Sequence, residues 1–260
     1  MRSFGPGGSM VNTIDHDFHR RRRAAMGSFF SKRSIQALEP SIQEKVDQLT
    51  GRFTDLAKSG EVVSLSAAYA GLTMDVISGY CFGESMGCLK KESFGQYYLD
   101  FFHDGPQIHP LARQFPWFQA VLFRLPMSVV GFLNPGVKTF LQFNEAIKPQ
   151  IRKILSEEKS DVQSTQRTIF HEVKDSDLPP SEKTEQRLTD EASIFLGAGT
   201  ETTARALAFT SYQLIQNPQM LDRLRKELKS VMPKADSAVP VSALEQLPYL
   251  VRLPSTAPHF

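Results

Sequence analysis

The residues most suited to a functional site stand together in one short stretch, LGAGTETTARAL, from Leu196 to Leu207. The flanking sequence predicts one long amphipathic helix, but glycine and threonine in its middle are poor to mediocre helix formers. Gly199 would let another group approach the backbone closely. Thr202 can donate a hydrogen bond back to the carbonyl of Ala198, which bends or loosens a helix. Because interrupted helices are common at functional sites, one interpretation of the stretch is a notched helix with a role beyond packing.

A second interpretation of the stretch remains open. Residues three and four apart share a helix face. The resulting stripe is bulky at its ends and small in its middle, and it contains Phe195, Gly199, Thr202, Ala206 and Phe209. Small residues also favour close helix–helix packing, in which case Glu201 pairs with Arg205 one turn later. The stripe alone does not decide between a ligand notch and a packing contact.

The order of residues in this stretch adds a resemblance. Ala198-Gly199-Thr200-Glu201-Thr202-Thr203 resembles the oxygen-binding signature in the central helix of cytochromes P-450. The resemblance implies that Thr202, with Glu201, organises the hydrogen bonds that deliver protons to oxygen. It also implies an oxygen-binding groove formed by Ala198, Gly199 and Thr203.

An arginine run near the start of the chain, HDFHRRRRAAMGSFFS, carries a second match. Taken alone, such a run is typical of a nuclear-localisation or nucleic-acid patch. Four consecutive helical residues point in four directions, however, whereas His19 and Arg23 share a face. The same family has an aromatic residue or histidine followed four residues later by an arginine, and these hold a haem propionate. The resemblance therefore assigns His19 and Arg23 to that role and leaves Arg20, Arg21 and Arg22 as solvated or docking charges.

The resemblance spans about residues 16–250, and the tail 251–260 diverges from it. The family continues into a Glu-x-x-Arg pair and a cysteine loop that supplies the iron ligand, and neither pattern occurs here. Cys81 and Cys88 are the only cysteines, and we interpret both as ordinary buried thiols. The chain is therefore expected to be one partial domain, residues 1–260. It is expected to aggregate or to bind haem weakly and nonspecifically, to offer no protein ligand to the metal and to lack catalytic competence as it stands.

Composition excludes several classes of protein. The 260 residues include 30 basic and 28 acidic side chains, so a net charge of +2 argues against a dedicated nucleic-acid binder. Two cysteines argue against a disulfide-stabilised secreted domain. The N-terminus lacks the apolar segment of a signal peptide, and no stretch is long and apolar enough to cross a membrane.

Helical periodicity dominates the chain and predicts an all-α fold, a helix array around one long central helix with the family's small sheet largely missing. Caps and spacing predict helices at 16–30, 38–57 and 65–82, and from Pro135 towards Glu158. The central helix is predicted to start at Thr189 as N-cap and to stop at Asn217-Pro218, which opens the next helix. The polar segment 160–185 is predicted to be a loop. The aromatic, proline-rich stretch 101–123 is typical of a ligand lid, of a membrane-facing surface or of ordinary core aromatics, and the resemblance implies that it contributes to a substrate lid.

The resemblance implies a fragment of a haem-dependent monooxygenase, similar to the fungal branch that acts in secondary metabolism. Intact relatives would use O2, a small apolar substrate such as a terpenoid, and an NADPH-dependent reductase at the endoplasmic reticulum membrane, held there by an N-terminal anchor that this chain lacks. Two other classes remain open. One is a non-enzymatic helical interaction protein or pseudoenzyme fragment without haem. The other is a nucleic-acid binder with a basic arm.

Overall fold

The computed structural model describes residues 8–104, 114–115, 135–157, 167–234, 237 and 239–253, and every regular element among them is helical. The α-helices are α1 (His16–Met26), α2 (Lys32–Ala37), α3 (Glu39–Ser59), α4 (Leu65–Phe82), α5 (Gln96–Asp104), α6 (Pro135–Ser156), α7 (Ile169–Asp175), α8 (Glu185–Gln216), α9 (Pro218–Leu228), α10 (Val241–Leu244) and α11 (Pro248–Arg252). Short 3₁₀ turns occupy Gly27–Phe30, Cys88–Lys90 and Pro180–Glu182. The predicted all-α fold is confirmed for these ranges.

Local sequence sets the helix ends. Asp15 caps α1 by accepting a 2.7 Å hydrogen bond from the backbone N–H of Phe18. Ser64 caps α4 through the N–H of Ala67, and both α3 and α4 stop at glycines with left-handed backbone, Gly60 and Gly83. Side-chain oxygens satisfy the orphan N–H groups of a first helical turn, and glycine adopts positive φ without steric cost.

The 32-residue helix α8 lies at the centre of the array and packs most extensively against α4 and then α6. The main core cluster joins these three helices to α7, with Phe143, Ile147, Leu188 and Leu196 all fully buried. A second cluster joins α3 to α4 around Leu49. Helix α4 is buried along most of its length, as its uniformly small and apolar composition predicts.

Two predicted boundaries are wrong. Helix α8 begins at Glu185 with Thr184 as its N-cap, whereas Thr189 lies inside the helix and is fully buried. The segment 160–185 is not a continuous loop, because Thr168 caps the short helix α7, which buries Ile169 and Phe170. The proposed lid 101–123 falls almost entirely outside the described residues. Within the described ranges, every helix is too short or too polar to span a membrane.

Candidate functional site

The stretch predicted to form a notch lies in the middle of α8, which runs as one uninterrupted α-helix from Glu185 to Gln216, so the predicted break in the helix is absent. The hydroxyl of Thr202 donates a 2.7 Å hydrogen bond to the carbonyl oxygen of Ala198, which confirms the back-bonding inferred from the sequence. Ala198, Thr202 and Thr203 are all exposed, while Thr200 is fully buried on the side facing α4. The notch is therefore an open patch of small side chains on the exposed face of α8, which continues through Arg205, Ala206 and Leu207.

Gly199 lies at the edge of this patch, where α4 crosses α8. A Cβ atom at this position would stand 3.0 Å from Cγ1 of Ile77, tighter than an ordinary van der Waals contact. Thr73 fastens the same crossing by donating its hydroxyl hydrogen bond to the carbonyl of Thr200, at 3.2 Å. The glycine thus serves the packing of α4 on α8, as the second interpretation of the stretch predicts.

Glu201 lies between the notch and a neighbouring cleft. Its carboxylate pairs with Arg205 at 2.9 Å, and their side chains are 32% and 72% exposed, respectively. The cleft, about 460 Å³, is bounded by α5 and α8 and by the start of α4. Its lining includes Glu201, Leu99, Asp100, Ala208 and Phe209. The carboxylate is therefore within reach of solvent and close to the exposed face of α8.

His19 and Arg23 lie one turn apart on α1, the first half-buried and the second exposed. Among the described residues Arg23 has no ion-pair partner, so its guanidinium is free to bind a carboxylate in bidentate fashion. The 3₁₀ turn that follows α1 carries Phe30, whose ring lies 5.6 Å from that of Phe195, one turn before Gly199. This contact brings the end of α1 next to the notch.

The expectation for Arg22 is wrong. Its side chain is 9% exposed and binds the carboxylate of Glu182 through two hydrogen bonds, from Nε at 2.6 Å and Nη2 at 2.8 Å. Arg20, by contrast, is exposed and pairs with Asp17, and Arg21 is also exposed. Helical rotation explains the difference, because only one of four consecutive arginines can face the core.

Both cysteines are buried thiols, as the sequence indicated. Cys81 in α4 and Cys88 in the following 3₁₀ turn are 1% and 0% exposed. Burial raises the pKa of each thiol to about 12, so neither supplies a thiolate near neutral pH. The described part of the chain also contains no cluster of three or more histidine, cysteine or acidic side chains that could bind a metal.

The sequence analysis missed a buried charged cluster at the start of α8. Glu182 accepts hydrogen bonds from Arg187 as well as Arg22, and Arg187 contacts Glu191 at 2.5 Å, with all four side chains at most 9% exposed. The signal available was the spacing of Arg187 and Glu191, four residues apart on a helix. The partner Arg22 is 160 residues from Glu182 and has no local signature.

Comparisons with known proteins agree with this architecture. The family model for cytochrome P450 matches residues 2–253. The chain is 36% identical over 249 residues to the cytochrome P450 monooxygenase orf6 of Eupenicillium brefeldianum, an alignment covering 95% of this chain and 49% of that protein. It is 38% identical over 239 residues to the cytochrome P450 monooxygenase TRI4 of Fusarium sporotrichioides, covering 92% and 46%.

A crystal structure of a cytochrome P450 (CYP102L1) superposes on the chain with a TM-score of 0.71 at 16% identity, covering 98% of this chain and 55% of that one. The chain spans about half the length of the curated relatives it matches. On the family match, the fungal relatives and the shared helical fold, the chain belongs to the cytochrome P450 family.

Proposed function

We propose that this chain forms the oxygen-side wall of the haem pocket in a haem-dependent monooxygenase, as one partial domain over residues 1–260 with its family pattern at about 16–250. The observation that carries the proposal is the exposed notch of α8, where the Thr202 hydroxyl is bonded to Ala198 and Glu201 lies alongside. In a member of this family such a patch provides room for a flat prosthetic group beside a proton donor.

The residues present fit one face and one edge of haem. The small exposed side chains of Ala198 and Thr203 beside the half-buried Gly199 would leave space for a ring and for dioxygen, and Arg23 with His19 would hold a propionate. Neither cysteine is suited to bind the iron of such a group, because both are buried as neutral thiols. When bound in a complete pocket, haem supplies O2 activation and the transfer of one oxygen atom to substrate.

Two side chains of α8, those of Thr202 and Glu201, would transfer protons between water and the notch. Thr202 holds its hydroxyl proton towards the Ala198 carbonyl, at the floor of the notch. Among the described residues Glu201 pairs with the largely exposed Arg205, and its side chain is 32% exposed, so its carboxylate is accessible to water in the cleft. Together they would form a short path from water to the notch, with Glu201 as the outer and Thr202 as the inner group.

The cleft beside the notch and the exposed arginines of α1 suggest the substrate and the redox partner. A small apolar substrate, a terpenoid among the candidates, would suit the cleft beside the notch, since Leu99, Ala204, Ala208 and Phe209 line it and its volume lies in the range of ligand pockets. The exposed Arg20 and Arg21 would attract an acidic NADPH-dependent reductase. The intact protein would act at the endoplasmic reticulum membrane.

A Soret-absorbance titration of the purified chain with haemin tests the proposal. We expect weak, saturable binding of one equivalent, and a loss of affinity of at least about tenfold in Ala198→Phe, which fills the notch. Gln216→Phe, an exposed change at the far end of the same helix, is the matched control. Equal binding by both variants would place haem elsewhere and contradict the proposal.

The alternative of a helical interaction protein without haem also rests on observations. Gly199 packs against Ile77, and Glu201 pairs with Arg205, as a packing role requires. The exposed side of α8 further carries Tyr212 and Ile215, 56% and 63% exposed. This alternative predicts no saturable Soret change in the titration above.

A further inference from the structure

A buried cluster of four charged side chains joins α1 to the start of α8. It consists of Arg22, Glu182, Arg187 and Glu191, two cations and two anions with no side chain more than 9% exposed. Taking these groups out of water opposes folding, and a buried ion pair of this kind adds little net stability over apolar side chains. The better attested use of such pairs is to select one arrangement of the elements they join.

The geometry of Arg22 leaves α1 little freedom to rotate. Its Nε and Nη2 grip the two carboxylate oxygens of Glu182, and its Nη1 donates to the Thr13 hydroxyl at 2.6 Å and to the Ser9 carbonyl at 3.3 Å. The guanidinium also lies 4.4 Å from the ring centre of Phe18. The guanidinium is therefore held through three of its nitrogens and through one of its faces.

Glu182 is in turn tied to the helix that bears the notch. It accepts a 3.1 Å hydrogen bond from Nε of Arg187, on the first turn of α8. Glu191, one turn further along, accepts a 2.9 Å hydrogen bond from the backbone N–H of Met10. The segment before α1, α1 itself and α8 are thus linked through two carboxylates and two arginines.

The orientation of Arg22 also determines that of the next residue of α1, Arg23. Successive helical residues are turned by about 100°, so the inward direction of Arg22 also fixes the directions of the exposed Arg23 and, one turn earlier, of the half-buried His19. We propose that Glu182 is a positioning residue, which through Arg22 aims the His19–Arg23 face at a carboxylate held beside α8. This inference rests on the proposed function, because the carboxylate in question is the haem propionate.

The test compares two porphyrin probes on the full chain, haemin and haemin dimethyl ester, whose propionates are blocked. Wild type is expected to prefer haemin by about tenfold or more, as a charged bidentate contact implies. Arg22→Met and Glu182→Gln should lose most of this preference while binding the diester within about twofold of wild type. Arg33→Met and Glu185→Gln, exposed or partly exposed changes nearby, should keep it.

The outcomes separate the positioning role from the proposed function. A purely structural role predicts equal loss of affinity for both probes, and that result, or a retained preference in Glu182→Gln, overturns the positioning role alone. Wild type that binds both probes equally overturns the propionate site and this inference with it. Far-UV circular dichroism is measured on each variant, and the affinities are compared among variants whose spectra match that of wild type.

Discussion

Arg22 and Arg23 are neighbours in one run of arginines, but the structure predicts opposite consequences for their replacement. Arg22→Met removes both hydrogen bonds to Glu182 and leaves Oε1 of that buried carboxylate without its partner. Breaking a buried ion pair in this way costs about 3–5 kcal/mol. Arg23→Met alters an exposed side chain without an ion pair among the described residues and should change stability by less than about 0.5 kcal/mol.

Urea unfolding followed by far-UV circular dichroism measures this difference. With a denaturant dependence of about 2 kcal/mol per molar, Arg22→Met should lower the unfolding midpoint by about 1.5–2.5 M, and Arg23→Met should leave it nearly unchanged. The double variant Arg22→Met/Glu182→Leu removes both partners of the pair, and Arg187 still has Glu191 as its partner. Its loss of unfolding free energy should therefore be smaller, by at least about 2 kcal/mol, than the sum of the losses in the two single variants. Equal midpoints for the two arginine variants would refute the burial and pairing of Arg22.

Three further predictions follow from buried groups. Asp75→Ala should destabilise the chain by about 2–4 kcal/mol in the same urea assay, since its carboxylate accepts hydrogen bonds from the N–H groups of Cys88 at 2.7 Å and Leu89 at 2.9 Å; a loss below about 0.5 kcal/mol would contradict this. Cys81 and Cys88, with pKa values of about 12, should react with a thiol reagent at pH 8 only after unfolding, so rapid labelling of the native chain would disprove their burial. Burial raises the pKa of Glu182, but Arg22 and Arg187 outweigh burial and hold that pKa below its ordinary value. The stability that the ionised Glu182 contributes should therefore be present above about pH 4.5 and be lost as pH falls through the lowered pKa. Glu182→Gln should accordingly show a shallower acid dependence of the urea midpoint than wild type.

Helix positions were predictable where the sequence contains clear capping and stop residues. The span predicted for α4, 65–82, agrees with Leu65–Phe82 because Gly83 supplies a left-handed stop, and Gly60 ends α3 in the same way. The start of α8 was misplaced because Thr184 and Thr189 both precede acidic residues. Which threonine caps the helix depends on core packing, and Thr189 is fully buried.

The candidate site was predictable in part for a similar reason. The hydrogen bond from Thr202 to Ala198 and the pair of Glu201 with Arg205 are four-residue contacts within one helix, and sequence spacing reveals both. The partner of Arg22 lies 160 residues away, and nothing local distinguishes this arginine from its neighbours. Long-range pairing of this kind requires the tertiary structure.

The central claim is that α1 and the notch of α8 form one haem-facing surface. Hydrogen-exchange mass spectrometry of the purified chain with and without haemin tests it most directly. The structure predicts slower exchange, by at least about tenfold, in two peptides only, 16–26 and 196–207, with α3 unchanged as internal control. Protection of neither peptide, or protection spread evenly over α3 as well, would contradict the account.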